Sequence, residues 1–274
     1  MSVLTSYASA SARDSAAPAA SNTGLCIFRS DTKAIEVSDG TNYQTYNSDG
    51  VIIPWTTNTY SLSTDGVDDF LACGTLGLIN SAGSYSVSAW VNMDASGSGG
   101  GVLASGTADT NRIFLSLATS GVIFGNKTGS GGVANYSSTL STGTWYHVVG
   151  VKDGTTSYLY VNGTQRASAS VSATLGSTAG TNFQIGVYPT GMTAGKFPGL
   201  IDEVALFNTA LSSSDVSSIY NIGSPDDLSA YSPVHHWRMG DNDDVSGSTV
   251  TDVGSGGSDG TMTNEASFST TVPS

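Results

Sequence analysis

Between residues 56 and 208 apolar and polar positions alternate in short runs, and clusters of Gly, Asn, Asp and Ser separate one run from the next. The runs YSLST, FLACG, YSVSAWVNM, GVLASG, RIFLSLA, GVIFGN, WYHVVGVK, SYLYVNG, QIGVY and LIDEVALFN are of strand length. Their period of two places alternate side chains on one buried face. Asp153-Gly154 joins WYHVVGVK to SYLYV, and Asn162-Gly163 turns SYLYV back toward TQRASAS. Both dipeptides suit a tight type I′ hairpin, whose central residues need positive φ. One segment departs from this period. In LSSSDVSSIYNIG, Ser212 and Asp215 predict a capping box, Val216, Ile219 and Tyr220 share a helical face, and Gly223 ends the helix.

Toward the N-terminus the pattern weakens. Residues 1–23 are rich in Ala and Ser without apolar periodicity, so they read as an extended arm that cannot offset its own ordering entropy. Residues 24–54 contain three short strands, LCIFRS, AIEVS and NYQTY, separated by turns. Three such strands cannot cover their own apolar side, so Leu25, Ile27, Ile35 and Val37 are expected to dock on a neighbour. Residues 55–274 form one large domain. The fold expected is all-β, an antiparallel β-sandwich with one short helix, preceded by an arm and a small β module.

Composition sharpens this. The 34 glycines and the 11% of charged residues fit strands joined by tight turns. Glu occurs only at positions 36, 203 and 265, so the acidity is nearly all Asp, a turn former. A net charge of −13 with nine Lys and Arg lacks the basic footprint of a nucleic-acid or anionic-membrane binder. No apolar run has transmembrane length, and the N-terminus shows neither a basic stretch nor the apolar run of a secretory signal. Cys26 and Cys73 lie in apolar runs, where free thiols fit better than a disulfide.

Candidate chemistry is sparse. A glycosidase needs two carboxylates flanking the scissile bond, yet alternation points Asp202 and Glu203 to opposite faces, and Glu36 and Glu265 stand alone. No catalytic residue is therefore assigned. His147 is a lone strand histidine, and His235 and His236, being adjacent, cannot chelate one ion from the same strand. In HHWRMGDNDD the same alternation sends Trp237 and Met239 to the core and leaves Arg238 and the Asp241 to Asp244 run at the surface. Tyr136, Trp145, Tyr188 and Phe197 lie near predicted loops where a sugar ring would stack, but the sequence does not choose among them.

The segments YSLSTDGVDDFL, YSVSAWVNM, TGTWYHVVGVKDGTTSYLYVNGTQ and FPGLIDEVALFNTALSSSDVSSIYNIG, in that order, resemble the laminin-G-like branch of the concanavalin A-like lectin and glucanase family. The resemblance implies a jelly roll of two facing antiparallel sheets. It also implies a structural calcium, because Asp202 matches the acidic residue of the family's I-D-x-V strand. Calcium takes six to eight oxygens, so the Asp65-Gly66 and Asp68-Asp69 turns and the Asp241 to Asp244 loop are the candidate partners, with Asp68 and Asp241 expected to join Asp202. The tail HHWRMGDNDDVSGSTVTDVGSGGSDGTMTN looks like the family's first strand and turn, which usually precede YSLSTDGVDD. Residues 232–274 are thus expected to be a permuted strand segment or to complete a neighbouring subunit. The WRMGD and SDGTMTN phrases, and the module text GLCIFRSDTKAIEVSDGTNYQTY, are similar to structural proteins of tailed phages, marine ones in particular. That implies a noncatalytic virion protein on the particle surface, decorating capsid or tail, trimeric, bound to other virion proteins and touching host glycans. An extracellular carbohydrate-binding module is the alternative, and a glycan hydrolase is less favoured.

Overall fold

The computed structural model describes residues 58–274, except 77–82, 96–98, 107–110, 129–131, 172–180, 189–194, 226 and 242, and strand backbones alone within residues 1–57 and at 111 and 126–128. The chain forms two compact units, residues 1–57 with 227–232 and the remainder of 58–274.

The first unit holds one sheet of β1 (Thr5–Tyr7), β2 (Cys26–Arg29), β3 (Ala34–Ser38), β4 (Tyr43–Tyr46) and β5 (Ile52–Ile53), in that order. The arm contributes a strand that the sequence did not announce: β1 runs parallel to β2, with Ser6 opposite Phe28. The register also corrects the docking face. Ile27 lies across from Glu36, and Phe28 across from Ile35, so Ile27 does not share a sheet face with Ile35 and Val37. The strand positions on that face are Ser6, Cys26, Phe28, Ile35, Val37, Gln44, Tyr46 and Ile52. Leu25 lies outside the described residues.

The second unit is a sandwich whose strands are β6 (Ser61–Asp65), β7 (Phe70–Gly74), β8 (Ser84–Met93), β9 (Gly99–Ser105), β10 (Asn111–Ala118), β11 (Gly121–Thr128), β12 (Val133–Ser137), β13 (Trp145–Asp153), β14 (Thr156–Val161), β15 (Thr164–Ser170), β16 (Phe183–Ile185) and β17 (Pro198–Phe207). After the helix α1 (Ser213–Tyr220) come β18 (His235–Trp237), β19 (Thr249–Val250), β20 (Gly260–Thr263) and β21 (Ser267–Ser269). One sheet has the order β15-β14-β13-β8-β17-β6-β21, with β18 also on β17, and the facing sheet has the order β12-β11-β10-β9-β16-β7-β20-β19. Every pairing in both is antiparallel. The core between them takes Leu62, Val91, Val148 and Ile201 from the first sheet and Leu71, Leu103, Leu115 and Phe124 from the second. Burial of these alternate positions is what the period of two encodes.

The local signals mostly work as their chemistry requires. Asn162 and Gly163 have φ of 50° and 71°, the two positive values of a type I′ turn. The preceding hairpin differs: Asp153 pairs with Thr156, so Gly154 and Thr155 form the loop, and positive φ at Gly154 alone matches type II′. The capping box of Ser212 and Asp215 is present, and the helix stops at Asn221, which adopts the left-handed conformation two residues before Gly223. Val216 and Ile219 are buried, and Tyr220 stacks on Trp90 at 5.8 Å, so α1 covers the outer face of the first sheet. Cys73 is a buried free thiol.

The tail completes its own sandwich. Trp237 lies across from Val204, Met262 from Leu71 and Phe268 from Leu62, so the tail adds strands to both sheets. Trp237 and Met239 are fully buried. Arg238 and Asp241 are buried as well, against the surface placement that alternation suggested. The reason is backbone: Met239 and Gly240 both have positive φ, which curls the chain after β18 back over the sheet.

At Gly150 an added methyl group would overlap the Phe124 ring across the core. Gly150→Ala should therefore destabilise the sandwich by about 1–3 kcal/mol. Pairing it with Phe124→Leu should recover part of that loss, as read by urea unfolding of the two single variants and the double variant.

Candidate functional site

Strand β17 changes partner along one edge. Its first half, Pro198 to Ile201, pairs with β6, and Val204 to Leu206 pair with β18. At the junction its register against β8 shifts between Asp202 and Ala205, and Glu203 takes φ of 45°. This is a β-bulge, which inserts a residue and breaks strict alternation. Asp202 and Glu203 consequently do not part to opposite faces. They interact with each other, and both are buried.

Partners arrive from the two ends of the domain. Glu203 accepts from Arg238 Nε at 3.0 Å and lies 2.5 Å from His236 Nε2. Arg238 Nη2 also donates to Asp241 at 3.2 Å, and Asp241 accepts from the Thr59 hydroxyl at 2.6 Å and from the Thr59 backbone N–H. Asp202 accepts from Asn58 Nδ2 at 2.9 Å and from the Glu203 backbone N–H at 2.8 Å. Burial opposes ionisation of Glu203, but His236 and Arg238 outweigh it and hold its carboxyl below the usual range. Among the described residues, the partners that set the Asp202 carboxyl include no cation. Burial, together with the charge on Glu203, pushes this carboxyl well above that range.

A second buried pair lies one strand position away. His235 Nδ1 lies 2.6 Å from Asp252, which also accepts backbone N–H groups of His236, Gly254 and Ser258. Burial works against the Asp252 charge, yet these bonds prevail and keep its carboxyl low. The His235 ring stacks on Trp237, which stacks on Phe183. His147 is equally enclosed, 2.9 Å from the Ser88 hydroxyl and stacked with Trp90 and Tyr220, and burial pushes its pKa down to about 3.

Of the expected calcium ligands, Asp202 and Asp241 fall in the buried cluster and Asp68 lies outside it. Among the described residues, the acidic group whose oxygens converge is Asp65, Asp68 and Asp69, within 4.8 Å of one another, without Asp202 or Asp241. Asp65 Oδ1 accepts from the Val67 and Asp68 backbone N–H groups, and Asp69 from those of Asp65 and Glu265, which is how aspartates cap turns. Asp202 lies outside that group, its two oxygens accepting from Asn58 Nδ2 and the Glu203 backbone N–H. Of the four loop aromatics, Phe197 is core, and Tyr136, Trp145 and Tyr188 are half-buried. Tyr136 lies under Arg166, and Tyr188 packs on Phe114.

These features define a jelly-roll sandwich with a buried carboxylate cluster at the bulge of β17. The chain belongs to the concanavalin A-like lectin/glucanases superfamily, whose laminin-G-type family model matches residues 64–217. No curated protein matches the sequence. Among solved structures, a Bacteroides ovatus protein described as a candidate carbohydrate-binding protein is 17% identical, with a TM-score of 0.59 over 92% of this chain and 71% of that one. The Limulus polyphemus SAP-like pentraxin is 16% identical, with a TM-score of 0.47 over 60% of this chain and 82% of that one. The CBM40 of the Ruminococcus gnavus IT-sialidase is 14% identical, with a TM-score of 0.45 over 57% of this chain and 97% of that one.

Two measurements test the network. Arg238→Met leaves the Glu203 charge short of a partner and should cost about 3–5 kcal/mol in urea unfolding, while Glu203→Gln in the same chain should restore much of it. For Asp202 the pH dependence has a definite sign. Its folded pKa is raised, so its contribution to stability is complete below the ordinary value of 3.8 and is lost as pH rises through the folded pKa. In Asp202→Asn, the Asn58 amide can turn over to present its unpartnered Oδ1 to the new amide. The melting temperature of that variant relative to the parent should therefore climb as pH rises above the ordinary value of 3.8, and a flat difference would contradict a raised Asp202 pKa.

Proposed function

We propose that the protein is a noncatalytic carbohydrate-binding module. The observation that carries this reading is the closed state of its buried carboxylates: Glu203 and Asp241 end on His236, Arg238 and Thr59, and Asp202 ends on Asn58. A glycoside hydrolase needs an acid and a base or nucleophile facing each other across a substrate cleft, a few ångströms apart. Membership in a lectin and glucanase superfamily leaves binding or hydrolysis as the two readings, and carboxylates locked inside the sandwich favour binding.

The finer reading places the module on a virion. The phage-like text of residues 24–46 and 235–264 favours it, and the first unit then serves as the anchor and trimer contact, with the sandwich displayed outward. Several copies on one particle multiply a weak affinity for host glycans.

Incubation with a panel of polysaccharides should release no reducing ends, while pull-down on the same insoluble glycans should retain the protein. Turnover abolished by Glu203→Gln would overturn the reading. A chain beginning at Trp55 keeps Asn58 and Thr59 and should stay folded, yet run as a monomer in light scattering, where the full chain runs as a trimer. An unchanged mass would move the subunit contact to the sandwich.

A further inference from the structure

One rung of side-chain positions crosses four strands at an end of the first sheet. Ser63 of β6 lies opposite Leu200 of β17, Leu200 opposite Asn92 of β8, and Asn92 opposite Trp145 of β13. The adjacent positions Leu62, Ile201 and Val91 belong to the core, so this rung faces outward. The next outward rung, Trp90 with His147, is closed by Tyr220 of α1. At the Ser63 to Asn92 rung the surface instead opens into a cleft of about 450 Å³, walled by Asp94 and Thr142.

The lining has an unusual balance. Ser63, Asn92 and Thr142 are polar side chains without a hydrogen-bond partner among the described residues. Asn92 is 8% exposed, so its amide is held in a nearly closed setting with donor and acceptor both uncommitted. Half-buried Leu200 lies between Ser63 and Asn92 and offers an aliphatic surface. The walls are fixed by backbone. Asp94 N–H donates to Pro198 at 2.9 Å, Gly143 N–H donates to Met93 at 2.8 Å, and a side chain at Gly199 would collide with the Asn92 carbonyl.

We infer that this cleft is a subsite for one or two rings of a neutral saccharide, an inference that rests on the carbohydrate-binding reading and gives it a location and a ligand class. A sugar ring carries vicinal hydroxyls that both donate and accept, which suits an amide flanked by two hydroxyls, and a C–H face, which suits Leu200. The volume lies in the range of small-ligand pockets. Charge sets the class. Among the described residues no Lys or Arg lines the cleft, so nothing there would pair with the carboxylate of a sialylated or uronic ligand. The side-chain amide supplies direction, and the fixed walls lower the entropy lost on binding.

The test is a glycan array carrying neutral oligosaccharides (glucans, galactans, mannans and xylans) and acidic ones (sialosides and uronans). Titration of the best-bound oligosaccharide against the full chain then follows, for the parent, Asn92→Ala, Thr142→Ala and a control on the opposite sheet, Tyr188→Ala. The parent should bind neutral glycans, Asn92→Ala should weaken binding by about tenfold or more, as expected for a lost pair of ligand hydrogen bonds, and Tyr188→Ala should leave it unchanged. Thr142→Ala, at a half-buried wall position, keeps the test open if Asn92→Ala melts early. Neutral binding untouched by either cleft variant, or lost in Tyr188→Ala, would overturn the location and leave the binding function standing. Selective binding of acidic glycans would overturn the ligand class. A parent chain that binds no glycan at all would remove both readings together.

Discussion

Two carboxyl groups inside a β-sheet constrain everything around them. An ionised carboxylate out of water is costly unless it is paired and hydrogen-bonded, so Glu203 needs a cation wherever the bulge of β17 puts it. His236 of β18 and Arg238 just after it meet that need, and Asn58 and Thr59 come from the residues before β6. The same bulge marks the place where β6 stops pairing with β17 and β18 begins. The polar cluster therefore fills the gap between two strands that share one edge, and it joins segments more than 170 residues apart in the chain, as in the bond from Thr59 to Asp241, separated by 182 positions. Apolar burial makes a sandwich of these strands, whereas this cluster specifies which segments close it.

The sequence made the strands legible because each carries its own period, and it made the helix legible because Ser212 and Asp215 act locally. It did not reveal the site for a matching reason. A bulge has no period, and Glu203 at positive φ carries none of the Gly or Asn that normally announces one. Alternation, correct at Trp237 and Met239, was extended one step too far to Arg238 and Asp241, where a turn in left-handed conformation ends the strand. Two signs were available. Glu203 is one of three glutamates in an Asp-rich chain, and Arg238 sits between two core residues. The setting of Asp202, buried against Asn58 and Glu203, was hidden by the same limit, because resemblance carries over a residue but not its burial.

The two outward surfaces of the first sheet divide the labour of the fold. Under α1, Trp90, His147, Val149 and Phe207 are buried as a second, smaller core, and a histidine with its pKa pressed down to about 3 sits there as a neutral packing group. Beyond the helix the same sheet keeps polar side chains uncommitted, which globular interiors rarely allow. Helix length thus decides how much of this face is architecture and how much is open to a ligand. Two further turns of α1 would add about 11 Å, enough to reach past several strand residues.

The pairing of β21 with β6 brings Ser269 opposite Ser61, and the Ser61 hydroxyl donates to the Thr271 carbonyl. The polypeptide therefore enters and leaves the sandwich at the same corner, on neighbouring antiparallel strands. Tension applied between those two points, as on a tethered molecule in flow, would load the β6–β21 hydrogen bonds one after another instead of all at once, so the sandwich would open from that corner like a zipper. The last strand would act as a mechanical fuse, yielding before the interior of either sheet bears force.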